Sequence, residues 1–310
     1  SSGARNIPFV TAVETDDYFE CFSVIDERNA AFFGLGLCQQ LNEPVAIACT
    51  SGTAVSNYLT GVTEAYYSHA PLLVITCDRS PYTLHQLETQ KIDQPAVFTG
   101  VVKKSVSLPV IKDADDIWYC QRLLNEAFIS LKQHQSGPVH INIPLVGDTN
   151  ALWNESVKKL RNGQARKINY VSVDDTEMWQ QMAKILSSKK RVIIVMGQDC
   201  SGDENLHQAL MQYCSYTQVP ILLDNLSNFR CSQMVWAEPV IKALNVNSIE
   251  GMLPEVVITF GNNFQERIKD LLKAHQGKFE HWSIDQEGVV RDVFKSQTAL
   301  FECRPAYFFN

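Results

Sequence analysis

Apolar and polar positions along the chain follow two alternating periods. Short β-branched and aliphatic runs (PVAIACT, PLLVITC, VHINIP, then RVIIVMG, VPILLD, VVITFG and HWSID) read as strands. Between them apolar residues recur at helical spacing: Ala30, Phe33, Leu37 and Leu41; Val55, Leu59, Val62 and Tyr66; a long stretch near 114–133; Met178, Met182 and Ile185; and a segment from about Phe264. The aromatic YFECFSV ahead of the first helical stretch reads as a further strand. Strands that alternate with helices imply βα crossovers and a mostly parallel sheet. The periodicity lapses over 151–170, which reads as a linker. The predicted fold is therefore α/β, with two doubly wound, mostly parallel-sheet domains at 1–150 and 171–310.

Composition narrows the class. The 310 residues suffice for roughly two domains with sizeable cores, and 45% are hydrophobic with no apolar run near the length of a membrane span. A net charge of −7 without a basic stripe argues against nucleic acid as the main partner. Nine scattered cysteines without CxxC pairs, and no signal peptide, make a reducing cytoplasm the expected setting. The opening SSGARNIPF is already turn-like and reads as the start of a piece of a longer protein.

Several familiar motifs are missed narrowly. GLGLCQ begins like a dinucleotide fingerprint, but it lies inside a helical pattern and has Gln39 where the third glycine belongs. There is no P-loop, HExxH or GxSxG, and the seven histidines lack metal-ligand spacing with cysteines, so no metal site is expected within the chain. Polar groups do recur at strand ends: Glu27 after the first run, TSGT (50–53) after the second and DRSP (78–81) after the third. If these strands are parallel, the turns open on one side of one sheet, the side where ligands bind in such folds. Each group also has a plainer role open to it. Glu27 and TSGT suit helix N-termini, and Arg79 suits an ion pair with a nearby carboxylate.

IDER, PVAIACTSGTAVSNYLTGVTEAYYSHAPLLVITCDRSP and QKIDQPAVF resemble the N-terminal, pyrimidine-binding domain of thiamine diphosphate enzymes. The likeness resumes in ILLDNLSNFR and VVITFGNNFQERIKDLL, which resemble the Rossmann-like central domain of that family. More narrowly, the motifs are similar to those of the 2-succinyl-5-enolpyruvyl-6-hydroxy-3-cyclohexene-1-carboxylate synthases of menaquinone biosynthesis. The resemblance implies a transferase that decarboxylates 2-oxoglutarate on thiamine diphosphate and adds the succinyl unit to isochorismate. Another thiamine diphosphate-dependent 2-oxoacid decarboxylase or carboligase, or a noncatalytic module that keeps the fold, are the alternatives.

The resemblance also implies roles for individual residues. Glu27 is the acid that hydrogen-bonds a ring nitrogen of the aminopyrimidine, and Thr50, Ser51 and Gly52 form the cofactor-binding turn. Arg5, Arg79, Gln90 and Arg267 match substrate-binding positions, in keeping with two polyanionic substrates and the bidentate grip of guanidinium on carboxylate. Two positions depart from the family pattern: PGSRN is SGARN here, with Ala4 in place of a hydroxyl, and Thr89 stands where asparagine is usual. The family binds the diphosphate through Mg²⁺ at a GDG motif in a third domain. VGDTN (146–150) and SGDEN (201–205) are the nearest sequences here, and neither contains GDG. The expectation is a fragment, inactive alone, of a cytoplasmic homodimer or dimer of dimers whose C-terminal diphosphate- and Mg²⁺-binding domain is absent from this chain. MGQDCSGDEN lacks the glycine pattern of a dinucleotide site, so the central domain reads as structural.

Overall fold

The run LLVITCD has no polar side until its last residues, as a strand requires when both faces of its sheet are covered. In the computed structural model it forms β2 (Leu72–Asp78), buried at every position. The structure describes residues 1–147, 165–199, 201–223, 226–243 and 250–310. It divides into two units, Ser1–Ala165 and Arg166–Asn310.

In the first unit β2 is flanked by β1 (Val45–Cys49) and β4 (Val139–Pro144), with β3 (Lys104–Ser107) at the far edge, in the order β1-β2-β4-β3. All the pairings are parallel. Alternate residues of β2 feed opposite faces. Leu72 and Val74 pack with Ala31, Leu35, Val55 and Val62 of α2 (Glu27–Leu41) and α3 (Thr53–Tyr67), whereas Leu73 and Ile75 pack with Leu123, Ala127 and Leu131 of α5 (Ala114–Lys132). Two shorter helices, α1 (Ile7–Glu14) and α4 (Gln94–Val97), lie at the ends of loops. Gly34, from the near-miss GLGLCQ, is a packing residue, since a Cβ there would stand 2.5 Å from Cγ2 of Ile47.

One expected strand is absent. Residues 18–24 of YFECFSV have no ladder partner, and Tyr18 and Phe22 are 85% and 56% exposed. Their rings instead make local edge contacts, Tyr18 with Phe19 at 5.0 Å and Phe22 with Phe33 at 5.5 Å. Aromatic composition favours a strand only where a sheet edge is there to receive it, and among the described residues β1 pairs with β2 alone. Glu27 therefore follows an extended segment, not a strand.

The second unit carries a seven-stranded sheet in the order β5-β11-β10-β9-β6-β7-β8, again parallel throughout. Its strands are β5 (Asn169–Ser172), β6 (Val192–Met196), β7 (Ile221–Leu223), β8 (Met234–Trp236), β9 (Val256–Phe260), β10 (Glu280–Ile284) and β11 (Gln297–Glu302). The helices are α6 (Thr176–Ser188), α7 (Glu204–Thr217), α8 (Ala237–Ala243), α9 (Glu266–Ala274) and α10 (Pro305–Phe309). Ile194, Ile258, Trp282 and Phe301 belong to one apolar layer, and Val195 and Val257 to the other. Of the expected linker, 151–164 lies outside the described residues, and Asn169 and Tyr170 fall within β5. Residues 148–150 of VGDTN also lie outside them. SGDEN serves as a helix start, with Asp203 accepting from the N–H groups of Asn205 and Leu206. Among the described residues no helix is long and apolar enough to cross a membrane.

Candidate functional site

TSGT and DRSP follow adjacent parallel strands, so their turns open at the same edge of the first unit's sheet. The N-terminal SGARN segment folds onto that edge. Its turn is closed by the buried Asn6, whose Oδ1 accepts the N–H of Gly3 at 2.7 Å. Gly3 lies so close to Thr50 that a Cβ would stand 2.6 Å from that residue's Cβ. The N–H of Arg5 donates to Thr50 Oγ1 at 3.2 Å, and its Nη1 donates to the carbonyl of Leu145, just beyond β4, at 3.3 Å. Arg5 is thus held at the strand ends through neutral oxygens, leaving its charge available to an anion.

The turn after β1 depends on Gly52. Its φ of 81° and ψ of −132° belong to a region that side-chain-bearing residues rarely enter. Its N–H donates to the buried Oε1 of Gln94 at 3.0 Å. Ser51 beside it is buried, and its hydroxyl has no hydrogen-bond partner among the described residues. An unpaired buried hydroxyl costs free energy unless a ligand or water meets it.

Glu27 opens α2, but the capping bond there is made by Asp26, whose side chain accepts from the N–H of Asn29 at 2.9 Å. Glu27 is half-buried, and its carboxylate makes no hydrogen bond or ion pair among the described residues. It sits close enough to the end of β1 to act on its neighbours. Burial is the main cause that pushes the Cys49 thiol and the Tyr58 hydroxyl up, and the Glu27 charge adds to both. Asp26 makes the capping bond, and Glu27 lies in the first turn of α2, where the helix dipole also favours a carboxylate.

The loop after β2 carries charged residues in crossed pairs. Asp78, buried at the strand end, binds Lys91 Nζ at 2.7 Å, and Arg79 binds Glu88 at 3.1 Å. Arg79 is therefore ion-paired, the plainer of the two roles open to it. Gln90 lies between the two loop partners with a positive φ of 53°, its backbone pressed against Gly52. Beside Asp78 opens a cavity of about 490 Å³ whose lining includes Tyr82, Lys91, Ser107, Lys112 and Asn142. Below it His140 bonds Thr76 Oγ1 at 2.8 Å and Ser105 Oγ at 2.9 Å, and burial pulls its pKa down to about 3, so its ring is neutral.

The sheet edge thus gathers Arg5, Glu27, Thr50, Ser51, Gly52, Arg79 and Gln90 in one unit. Arg267 belongs to the other, on the first turn of α9, where it is 54% exposed and 3.9 Å from Glu238. Sequence reasoning missed Lys91, Gln94 and Asn142. The available signal was the alternation of His140 and Asn142 in the otherwise apolar VHINIP, which puts two polar side chains on one face of a covered strand. Among the described residues no group of three or more His, Cys, Asp or Glu is placed to hold a metal ion.

The first unit is thus a parallel-sheet α/β domain with an acid, a glycine turn and a buried hydroxyl near one sheet edge. Residues 1–97 match the family model described as the thiamine pyrophosphate enzyme N-terminal TPP binding domain. Along 99% of its length the chain is 36% identical to the 2-succinyl-5-enolpyruvyl-6-hydroxy-3-cyclohexene-1-carboxylate synthase of Bacteroides fragilis, covering 55% of that protein. It is 35% identical to the synthase of the same name from Bacteroides thetaiotaomicron (99% of this chain, 55% of that one). With the synthase from Desulfotalea psychrophila it shares 33% identity (100% and 58%). The chain therefore spans about half the length of the curated relatives it matches.

Proposed function

We propose that the protein carrying this chain is a thiamine diphosphate-dependent transferase of menaquinone biosynthesis that decarboxylates 2-oxoglutarate and joins the succinyl unit to isochorismate, and that residues 1–147 supply the pyrimidine half of its active site. The observation that carries this is a half-buried Glu27 at the start of α2, whose charge acts on Cys49 at the end of β1, with a glycine turn following that strand whose Ser51 hydroxyl lacks a partner among the described residues. These groups fit an aminopyrimidine, which offers ring nitrogens and an amine to an acid and a hydroxyl.

When bound, thiamine diphosphate supplies the electron sink for the decarboxylated acyl group. Glu27 would hold a bound aminopyrimidine by a hydrogen bond to a ring nitrogen, with the proton of that bond at its carboxyl oxygen. Thr50, Ser51 and Gly52 shape the turn against the ring and exclude water from it. Arg5 and Arg79 bind substrate carboxylates, Arg79 by exchanging Glu88 for the ligand, and Gln90 adds a polar contact. Because the chain contains no GDG sequence, the Mg²⁺ and the diphosphate are assigned to another part of the protein, with a partner copy completing a homodimeric site in the cytoplasm.

The test is an assay of the protein carrying this chain with Mg²⁺, thiamine diphosphate, 2-oxoglutarate and isochorismate. Cofactor-dependent CO₂ release coupled to consumption of isochorismate is expected. CO₂ release that couples to a different acceptor would assign the chain to another carboligase, and no binding of thiamine diphosphate would leave it a noncatalytic module.

A further inference from the structure

Beneath the Gly52 turn runs a hydrogen-bonded chain with a single direction. Asp78, an acceptor only, takes Lys91 Nζ at 2.7 Å and Asn142 Nδ2 at 3.2 Å on Oδ2, and the N–H of Arg79 at 2.7 Å on Oδ1. With its amide nitrogen turned toward that charge, Asn142 presents Oδ1, which accepts from Gln94 Nε2 at 3.0 Å and Thr76 Oγ1 at 2.9 Å. Gln94, its nitrogen so committed, presents Oε1 to the N–H of Gly52 at 3.0 Å. The exposures of Asp78, Asn142 and Gln94 are 2%, 2% and 0%, so water does not compete for these bonds. Lys91 closes the circuit, because its neighbour Gln90 forms the wall against Gly52, within 3.0 Å of where a Cβ would lie.

We infer that Asp78, Asn142 and Gln94 are positioning residues for the cofactor-binding turn: the buried charge of Asp78 orients two amide side chains in series, and the last of them holds Gly52 in its positive-φ conformation. This rests on the assignment of that turn to thiamine diphosphate. Gln94→Leu removes both links of Gln94, whereas Gln94→Glu keeps an acceptor for the N–H of Gly52. In the protein carrying this chain, calorimetric titration with thiamine diphosphate and Mg²⁺ is expected to show Kd raised by about 10-fold in Gln94→Leu, the size of one buried hydrogen bond. Gln94→Glu is expected to recover at least part of that loss, and KM for 2-oxoglutarate at saturating cofactor is expected to stay near wild type in both. Wild-type Kd in Gln94→Leu, equal Kd in the two variants, or a matching rise in KM would overturn the inference. Should Gln94→Leu not fold, Asn142→Ser cuts the chain one link further from the turn: a several-fold rise in Kd supports the inference and an unchanged Kd overturns it. A wild-type protein that bound no thiamine diphosphate would overturn the assignment of the turn itself, and the positioning role with it.

Discussion

Gly52 and Gln90 meet backbone to backbone: a Cβ on Gly52 would lie 2.9 Å from the Cβ of Gln90 and 3.0 Å from its Cα. Neither side can yield, since the obstructing atoms belong to a loop tied down by the buried Lys91–Asp78 pair. With a φ of 81° at Gly52 as well, Gly52→Ala adds backbone strain to a clash. It should cost about 2 kcal/mol or more in urea denaturation, the upper part of the range for such positions. Wild-type stability in that variant would mean that the turn is free to relax.

Glu27 is free of capping duty because Asp26 fills it. Glu27→Gln should therefore leave thermal unfolding near wild type while turnover of the protein carrying this chain falls by roughly 10²-fold, the scale of a lost acid–base group. Unchanged turnover would remove Glu27 from the proposed role, and a large loss of stability would make it structural.

Arg79 is held by Glu88 at a site where both side chains are partly exposed, at 25% and 36%. An exposed pair of this kind contributes less than about 1 kcal/mol, so a substrate carboxylate can take over the guanidinium. Glu88→Gln is expected to lower KM for one carboxylate substrate with little change in stability. Arg79→Ala and Arg5→Ala are each expected to raise a KM by an amount equivalent to about 1.5–3 kcal/mol. Steady-state kinetics with each substrate varied in turn checks all three, and unchanged constants would make the arginines ordinary surface charges.

His140 ties the fold to pH. Its ordinary pKa of 6.5 falls to about 3 in the buried site, so below pH 6.5 the unfolded chain takes up a proton that the native state refuses. The contribution of His140 is complete above pH 6.5 and is lost progressively as pH falls toward 3. Between pH 7 and 5.5 the wild type should lose about 1 kcal/mol more than His140→Gln in urea denaturation, whatever their absolute stabilities. Parallel pH curves would show that the ring titrates as freely as in the unfolded chain. His281 in the second unit, lowered to about 4 by burial, acts in the same sense and is present in both proteins, so it cancels from the comparison.

The sequence alone determined the α/β class, the parallel strands β1, β2 and β4, and TSGT and DRSP at one sheet edge. All of these follow from periodicity, a property of neighbours in the chain: a buried parallel strand must be apolar on both faces, and the turn after it must bear the polar groups. Only the tertiary structure decided the rest. YFECFSV has the composition of a strand, but a strand exists only where another chain segment completes its hydrogen bonds, and among the described residues β1 pairs with β2 alone. Asp26 and Glu27 are both acids at the start of α2, and only the structure shows that Asp26 is the one that takes the N–H of Asn29. Asp78, Lys91, Gln94 and Asn142 lie up to 64 positions apart and become one network only when β2 and β4 pair in register and place Asp78 opposite Pro144, with Asn142 two residues back on the same face. That register arises from packing on both faces of the sheet, and no local pattern in the chain encodes it.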